Sequence, residues 1–180
     1  MKKLIMVSSL LAALGLVGQA QASDGNITFN GELTASTCDV VVDGQASDAT
    51  IVLPTVSVSA LDAAAKTAGQ TTFSMALSNC TGTLQTASAF FESGASVEAA
   101  TGRLQNMTGT AGNVSLQLID SSSASNAVIK AGDQSQINNT TYVDISGGSA
   151  NLPYAVRYYA EAPTTAGTVV SNVVYSIQYK

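Results

Sequence analysis

Residues 171–180 read SNVVYSIQYK, and in them Val173, Tyr175, Ile177 and Tyr179 occupy every second position. A period of two places all four on one face of a β-strand, with the intervening residues on the other. The alternation runs on to Tyr179, next to Lys180, where a chain is normally frayed and polar unless something ties it down. The same period stands near the other end. Residues 23–38 read SDGNITFNGELTASTC, with Ile27, Phe29, Gly31 and Leu33 on one strand face. Glycine weakens a strand interior and often marks a place where another backbone or side chain approaches too closely for a Cβ.

Between these segments alternation predicts strands over 27–33, 38–42, 50–53, 72–77, 87–91, 113–119, 126–129, 141–145, 151–160 and 169–179. Turn signals separate them at Asp43-Gly44, Gly109 to Gly112, Ser121 to Ser125, Gly147-Gly148 and Pro163 to Gly167. Short strands at this spacing predict an all-β sandwich. One stretch, SALDAAAK over 59–66, has helical character, with Ser59 as its cap and an alanine-rich body.

The chain has 180 residues, enough for one domain, with 46% apolar and only 11% charged side chains. Residues 1–22 read as a secretory signal peptide: Lys2 and Lys3 form the positive region, an apolar run follows, and Ala20-Gln21-Ala22 is a small-x-small cleavage site. Ser8, Ser9, Gly15 and Gly18 interrupt the run, leaving it short of the roughly 20 apolar residues that span a bilayer. No membrane span is expected after cleavage. Removing Lys2 and Lys3 leaves five basic against twelve acidic side chains, a net charge of −7. Such a balance disfavours nucleic acid as a partner, because phosphate neutralisation needs lysine and arginine. Cys38 and Cys80 are the only cysteines, and an even count in an exported chain predicts a disulfide. Closing a loop of that length restricts the unfolded chain by about 4 kcal/mol.

The chain has no histidine, which excludes the Ser-His-Asp and Cys-His catalytic arrangements and imidazole metal ligands. No metal or cofactor is expected. Asp43 and Asp48 share a loop that lacks the ligand pattern and closing glutamate of a calcium site, so a solvated turn is the better reading. Glu92 and Glu98 follow the pattern of surface charge more closely than that of a glycosidase acid and base. Sequons at Asn26, Asn79, Asn106, Asn113 and Asn139 are expected by chance in a chain rich in Ser and Thr.

In its F-x-G-x-L extension at Phe29, Gly31 and Leu33, its Cys38 and Cys80 spacing, NVSLQLID at 113–120, LPYAVRYYA at 152–160 and the terminal alternation with Tyr179, the chain resembles chaperone–usher pilins. The likeness is to the type 1 fimbrial major subunits of Gram-negative bacteria, and it covers nearly the whole chain after residue 22. The resemblance implies an incomplete immunoglobulin-like β-sandwich, the pilin fold, which lacks its last strand. It divides the chain into a signal peptide over 1–22, a donor-strand extension over 23–34 and a pilin domain over 35–180. Ile27, Phe29, Gly31 and Leu33 would then be the donor strand. Val173, Tyr175, Ile177, Tyr179 and Lys180 would form the acceptor groove and chaperone-binding strand, with the carboxylate on Lys180 held by basic chaperone residues. The implied function is a non-enzymatic structural subunit of an adhesive surface fimbria. The implied partners are other pilin subunits, a periplasmic chaperone and an outer-membrane usher. The alternatives are a minor adaptor pilin of the same family, and an exported carbohydrate-binding β-sandwich module, for which a chain with no tryptophan and six tyrosines gives only a thin aromatic signal.

Overall fold

The computed structural model describes residues 27–31, 33 and 35–180. The expected signal peptide over 1–22 lies outside the described residues, as do residues 23–26, Glu32 and Thr34. Two units divide the chain, Met1–Leu33 and Thr34–Lys180. The second carries all the regular structure among the described residues. Its strands are β1 (Thr37–Val42), β2 (Thr67–Thr81), β3 (Thr86–Phe91), β4 (Leu104–Gln105), β5 (Val114–Asp120), β6 (Ala127–Ile129), β7 (Val143–Asp144), β8 (Ala150–Ala160) and β9 (Tyr175–Tyr179). A 3-10 turn at Val58–Leu61 and a one-turn helix α1 at Gln136–Asn139 complete it.

Every strand pairing among the described residues is antiparallel. One sheet has the order β1-β2-β8-β5-β4, with β6 also on β5, and the other has the order β7-β3-β9. Their inner faces make the core of a two-sheet, immunoglobulin-like sandwich. Phe73, Met75 and Leu77 of β2 and Leu152, Tyr154 and Val156 of β8 alternate inward, opposite Ala87, Ala89 and Phe91 of β3. Tyr154 sits between two rings, 5.9 Å from Phe73 and 5.2 Å from Phe91, the latter edge-on. β5 is buried at all seven positions, including Ser115 and Gln117. Those two are satisfied outward, Ser115 Oγ by Glu161 at 2.6 Å and Gln117 Oε1 by Arg157 at 2.6 and 2.9 Å. A bulge in β2 holds Gly69 at φ +61, where a Cβ would come within 2.9 Å of the Tyr158 ring.

Several expectations change. The helix over 59–66 shrinks to the 3-10 turn, capped by Ser57, whose side chain accepts from the Ser59 amide. A segment that short cannot repay helix nucleation, and Ala65 at φ +67 turns the chain back so that its amide donates to Ala160 O at 2.8 Å. Residues 50–53 form no strand; the Gln45 side chain takes both polar groups of Thr50, at 3.1 and 3.2 Å, where a neighbouring strand would otherwise pair. The strand expected over 169–179 is regular only as β9, and that over 141–145 only as β7. Ile27–Gly31 and Leu33 carry no strand, since an extended segment becomes one only when a neighbour takes its backbone bonds.

Candidate functional site

β9 pairs with β3 on one side, Ala87 opposite Tyr179 through Phe91 opposite Tyr175, and among the described residues has no strand on its other side. β1, likewise, pairs among the described residues only with β2 and stands at the edge of the other sheet. Tyr175, Ile177 and Tyr179 of β9, with Val173 just ahead, pack on the core yet remain only half-buried. Cys38 and Val40 of β1, and Ile51 and Leu53 beyond it, share that condition. The result is a groove with an apolar floor between two sheet edges that no described strand covers. The four alternating residues read from the sequence therefore do come together on one face.

Two tyrosines cross this groove. The Tyr179 hydroxyl accepts from the Cys38 amide at 3.0 Å, and the Tyr175 hydroxyl donates to Ser47 O at 2.8 Å. Burial, and next the charge of Asp48, push the Tyr175 phenol up from its ordinary value. Cys38 itself is fixed by the expected disulfide to Cys80, with the two Cα atoms 4.1 Å apart. Lys180 continues the β9–β3 pairing, its amide donating to Thr86 O at 2.9 Å. Its ammonium donates to Ile137 O at 2.6 Å and lies 3.8 Å from the centre of the Tyr142 ring.

The approach to β9 is irregular, so side chains hold it. Asn106 is the hub: its Nδ2 donates to Ala111 O and Thr168 O at 2.9 and 3.1 Å, and its Oδ1 accepts from the amides of Gly109 and Val170 at 3.1 and 2.8 Å. Ser96 Oγ donates to Asn172 O at 2.5 Å. Neither was singled out by sequence as a determinant of the site; the only signal at Asn106 was an incidental sequon. Gly109 and Gly167 allow the close approach of the two loops, since a Cβ at either would lie within 2.4 Å of the other loop.

Ile27, Phe29 and Leu33 are 77, 88 and 101% exposed, so the apolar row of the extension is uncovered. A Cβ at Gly31 would meet nothing within 4 Å, so its own chain does not require glycine there. Of the remaining candidates, Asp43 and Gly44 form a tight turn at φ +50 and +72, with the Val42 amide on Ala46 O at 2.9 Å. Glu92 accepts from Ser176 Oγ at 2.6 Å. The Asn113 amide donates to Pro163 O at 2.9 Å and that of Asn79 to Asp39 at 2.8 Å, so both side chains are in structural use.

An immunoglobulin-like sandwich with one face open beside its last strand defines the class, a pilin-type domain. The pattern of the type-1 fimbrial protein A family matches residues 53–180, and the chain belongs to that family. It is 40% identical to the major fimbrial subunit SMF-1 of Stenotrophomonas maltophilia, over 94% of this chain and 99% of that one. It is 34% identical to the F17 fimbrial protein of Escherichia coli, over the whole of both. In fold it is similar to a subunit of a chaperone–usher pilus solved in a study of rod uncoiling, with a TM-score of 0.60 at 19% identity, covering 88% of this chain and 96% of that one. The P pilus rod subunit PapA gives 0.59 at 16% identity, covering 79% and 99%. The protein is a structural subunit of a fimbria.

Proposed function

We propose that this subunit polymerises by donor-strand exchange, the groove beside β9 receiving residues 23–34 of the next copy. The observation that carries the reading is the half-buried row Val173, Tyr175, Ile177 and Tyr179 beside an unpaired strand edge. The uncovered row Ile27, Phe29 and Leu33 supplies the complement. Burying those three side chains contributes roughly 5 to 9 kcal/mol, at about 1.5 to 3 each. Each backbone bond of the new ladder adds about 0.5 to 1.5 kcal/mol. Gly31 fits this reading because the space it leaves is unused in its own chain. Donor and acceptor are different surfaces of one molecule, so the contact is heterologous and propagates as an open fibre at the cell surface.

An exposed groove of this kind is an aggregation hazard before assembly, so a periplasmic chaperone covers it first and an outer-membrane usher mediates the exchange. The subunit needs no cofactor and performs no catalysis. Two assays on surface-sheared fibres test this. Wild-type material should run as a ladder in cold detergent and collapse to monomer on boiling; monomer in both conditions overturns the reading. Gly31→Lys should leave chaperone-bound subunit intact and stop fibre growth, and unhindered growth overturns the donor assignment.

A further inference from the structure

The bonds from Tyr179 and Tyr175 span the very gap that a donor strand would occupy. Cys38 lies at the register shift between Thr37 and Asp39 and has no Cα partner on β2, and its amide points to the Tyr179 hydroxyl at 3.0 Å. At the other end of β9 the Tyr175 hydroxyl reaches Ser47 O at 2.8 Å. Between them Ile177 reaches no polar partner across the groove, having only an apolar side chain. Both rim groups so occupied, an N–H and a C=O, are ones that an incoming backbone could pair. An inserted strand therefore competes with the two phenols for the same rim.

We propose that Tyr175 and Tyr179 are latches that hold the unoccupied groove shut, and that a strand docks fully only after both hydroxyl bonds release. This rests on the groove being the donor-strand acceptor. The rings and the hydroxyls have separate roles: the rings belong to the apolar floor in either state, while the hydroxyls are bonded across the gap only when it is empty. The latches are unequal. Tyr179 holds an amide fixed by the Cys38–Cys80 disulfide in a part-buried setting, whereas Tyr175 holds a loop carbonyl in an exposed one. A bond open to water contributes less, so Tyr179 dominates. Binding-competent chains are those with both latches open, and removing a latch raises that fraction.

The test uses the full exported chain carrying Gly31→Lys throughout, so that no copy donates its own strand, and a fluorescein-labelled peptide of the unsubstituted residues 23–35, with association followed by anisotropy. Tyr179→Phe should bind roughly three- to tenfold faster than wild type, Tyr175→Phe should gain less, and the double variant should approach the product. Dissociation should stay within about twofold, because the rings are kept. Amide exchange gives a second readout on unsubstituted protein: the Cys38 amide should be protected without peptide, and in Tyr179→Phe it should be protected only with peptide. Normal peptide binding at equal rates in all four chains overturns the latches and leaves the groove standing. A Cys38 amide that exchanges freely in the wild type does the same. No binding by any of the four overturns the groove reading and the latches with it.

Discussion

The hydroxyl of Tyr154 on β8 accepts a hydrogen bond from the Ala89 amide on β3 at 2.9 Å, a polar link between the two sheets in the middle of an apolar core. Ser88 Oγ lies 3.4 Å from the same oxygen. The ring fills volume between Phe73 and Phe91 while its tip satisfies a buried amide that would otherwise be orphaned. Tyr154→Phe keeps the ring and should lower unfolding free energy by about 1 to 3 kcal/mol, the penalty for an unsatisfied buried donor. Tyr154→Ala also opens a cavity and should cost about 3 to 5 kcal/mol. Urea denaturation of both variants checks the order; equal losses would mean that the hydroxyl bond alone matters, and a neutral Tyr154→Phe that packing alone does.

Asp120 makes a second link between the sheets. At the end of β5 and fully buried, it accepts from the amides of Ser122 and Ser123 through Oδ1, at 2.9 and 3.3 Å, and from Thr141, ahead of β7, through Oδ2 at 2.7 Å. All three partners are donors, so the site needs acceptors at both oxygens. Asp120→Asn turns one oxygen into a donor facing a donor and should destabilise by about 1 to 3 kcal/mol, although it removes a buried charge. A midpoint equal to wild type would show that the turn relaxes freely.

Sequence alternation was enough for β5, β8 and the buried middle of β2, where enough side chains are buried for the pattern to survive noise, but it gave only 72–77 of Thr67–Thr81, whose ends are largely exposed. It misled where side chains pack but backbones do not pair. Ile51 and Leu53 lie on the core in alternation, yet Gln45 takes the place of a ladder at Thr50. Val169 and Val173 do the same ahead of β9, held by Asn106 and Ser96 instead of a strand. β4 has two residues, too few for any period. α1 is organised around a buried Gln136, whose side-chain amide pairs both polar groups of Phe91 at 2.9 and 3.0 Å, and no local propensity announces such a contact. The groove row was legible in Val173, Tyr175, Ile177 and Tyr179, whereas the partners of the two hydroxyls, Cys38 and Ser47, are more than a hundred residues away.

Alkali should unfold this protein more readily than neutral solution. Burial raises the phenol of Tyr154 above its ordinary value of 10.0, and also those of Tyr142, Tyr158 and Tyr175. Below pH 10 these phenols are protonated in both states and contribute no slope. As pH rises past it, the unfolded chain releases protons that the folded chain retains, so the unfolded state binds fewer protons and stability falls. The urea midpoint should drop from about pH 10 upward, and less steeply in Tyr154→Phe when each chain is scaled to its own neutral-pH value. A flat midpoint through that range would contradict the burial of these rings.

Asn106 gives the sharpest distinction between a structural hub and an ordinary surface polar residue. Its amide places two donors on the Ala111 and Thr168 carbonyls, and its carbonyl takes the Gly109 and Val170 amides. Asn106→Ala should lower stability by roughly 1 to 3 kcal/mol, since some of these bonds are open to water and their contributions do not add. Asn106→Asp should be no better, because a carboxylate oxygen would face two carbonyls that the Nδ2 group now satisfies. A surface residue would give the opposite order, Asp being tolerated and Ala neutral. Amide exchange locates the effect: the Val170 amide should lose protection in both variants, beyond what the change in global stability accounts for, because its acceptor is gone in one and electrostatically displaced in the other. Since residues 161–174 reach β9 through this hub, the same variants should loosen the floor of the groove at Val173 before they loosen β2 or β8.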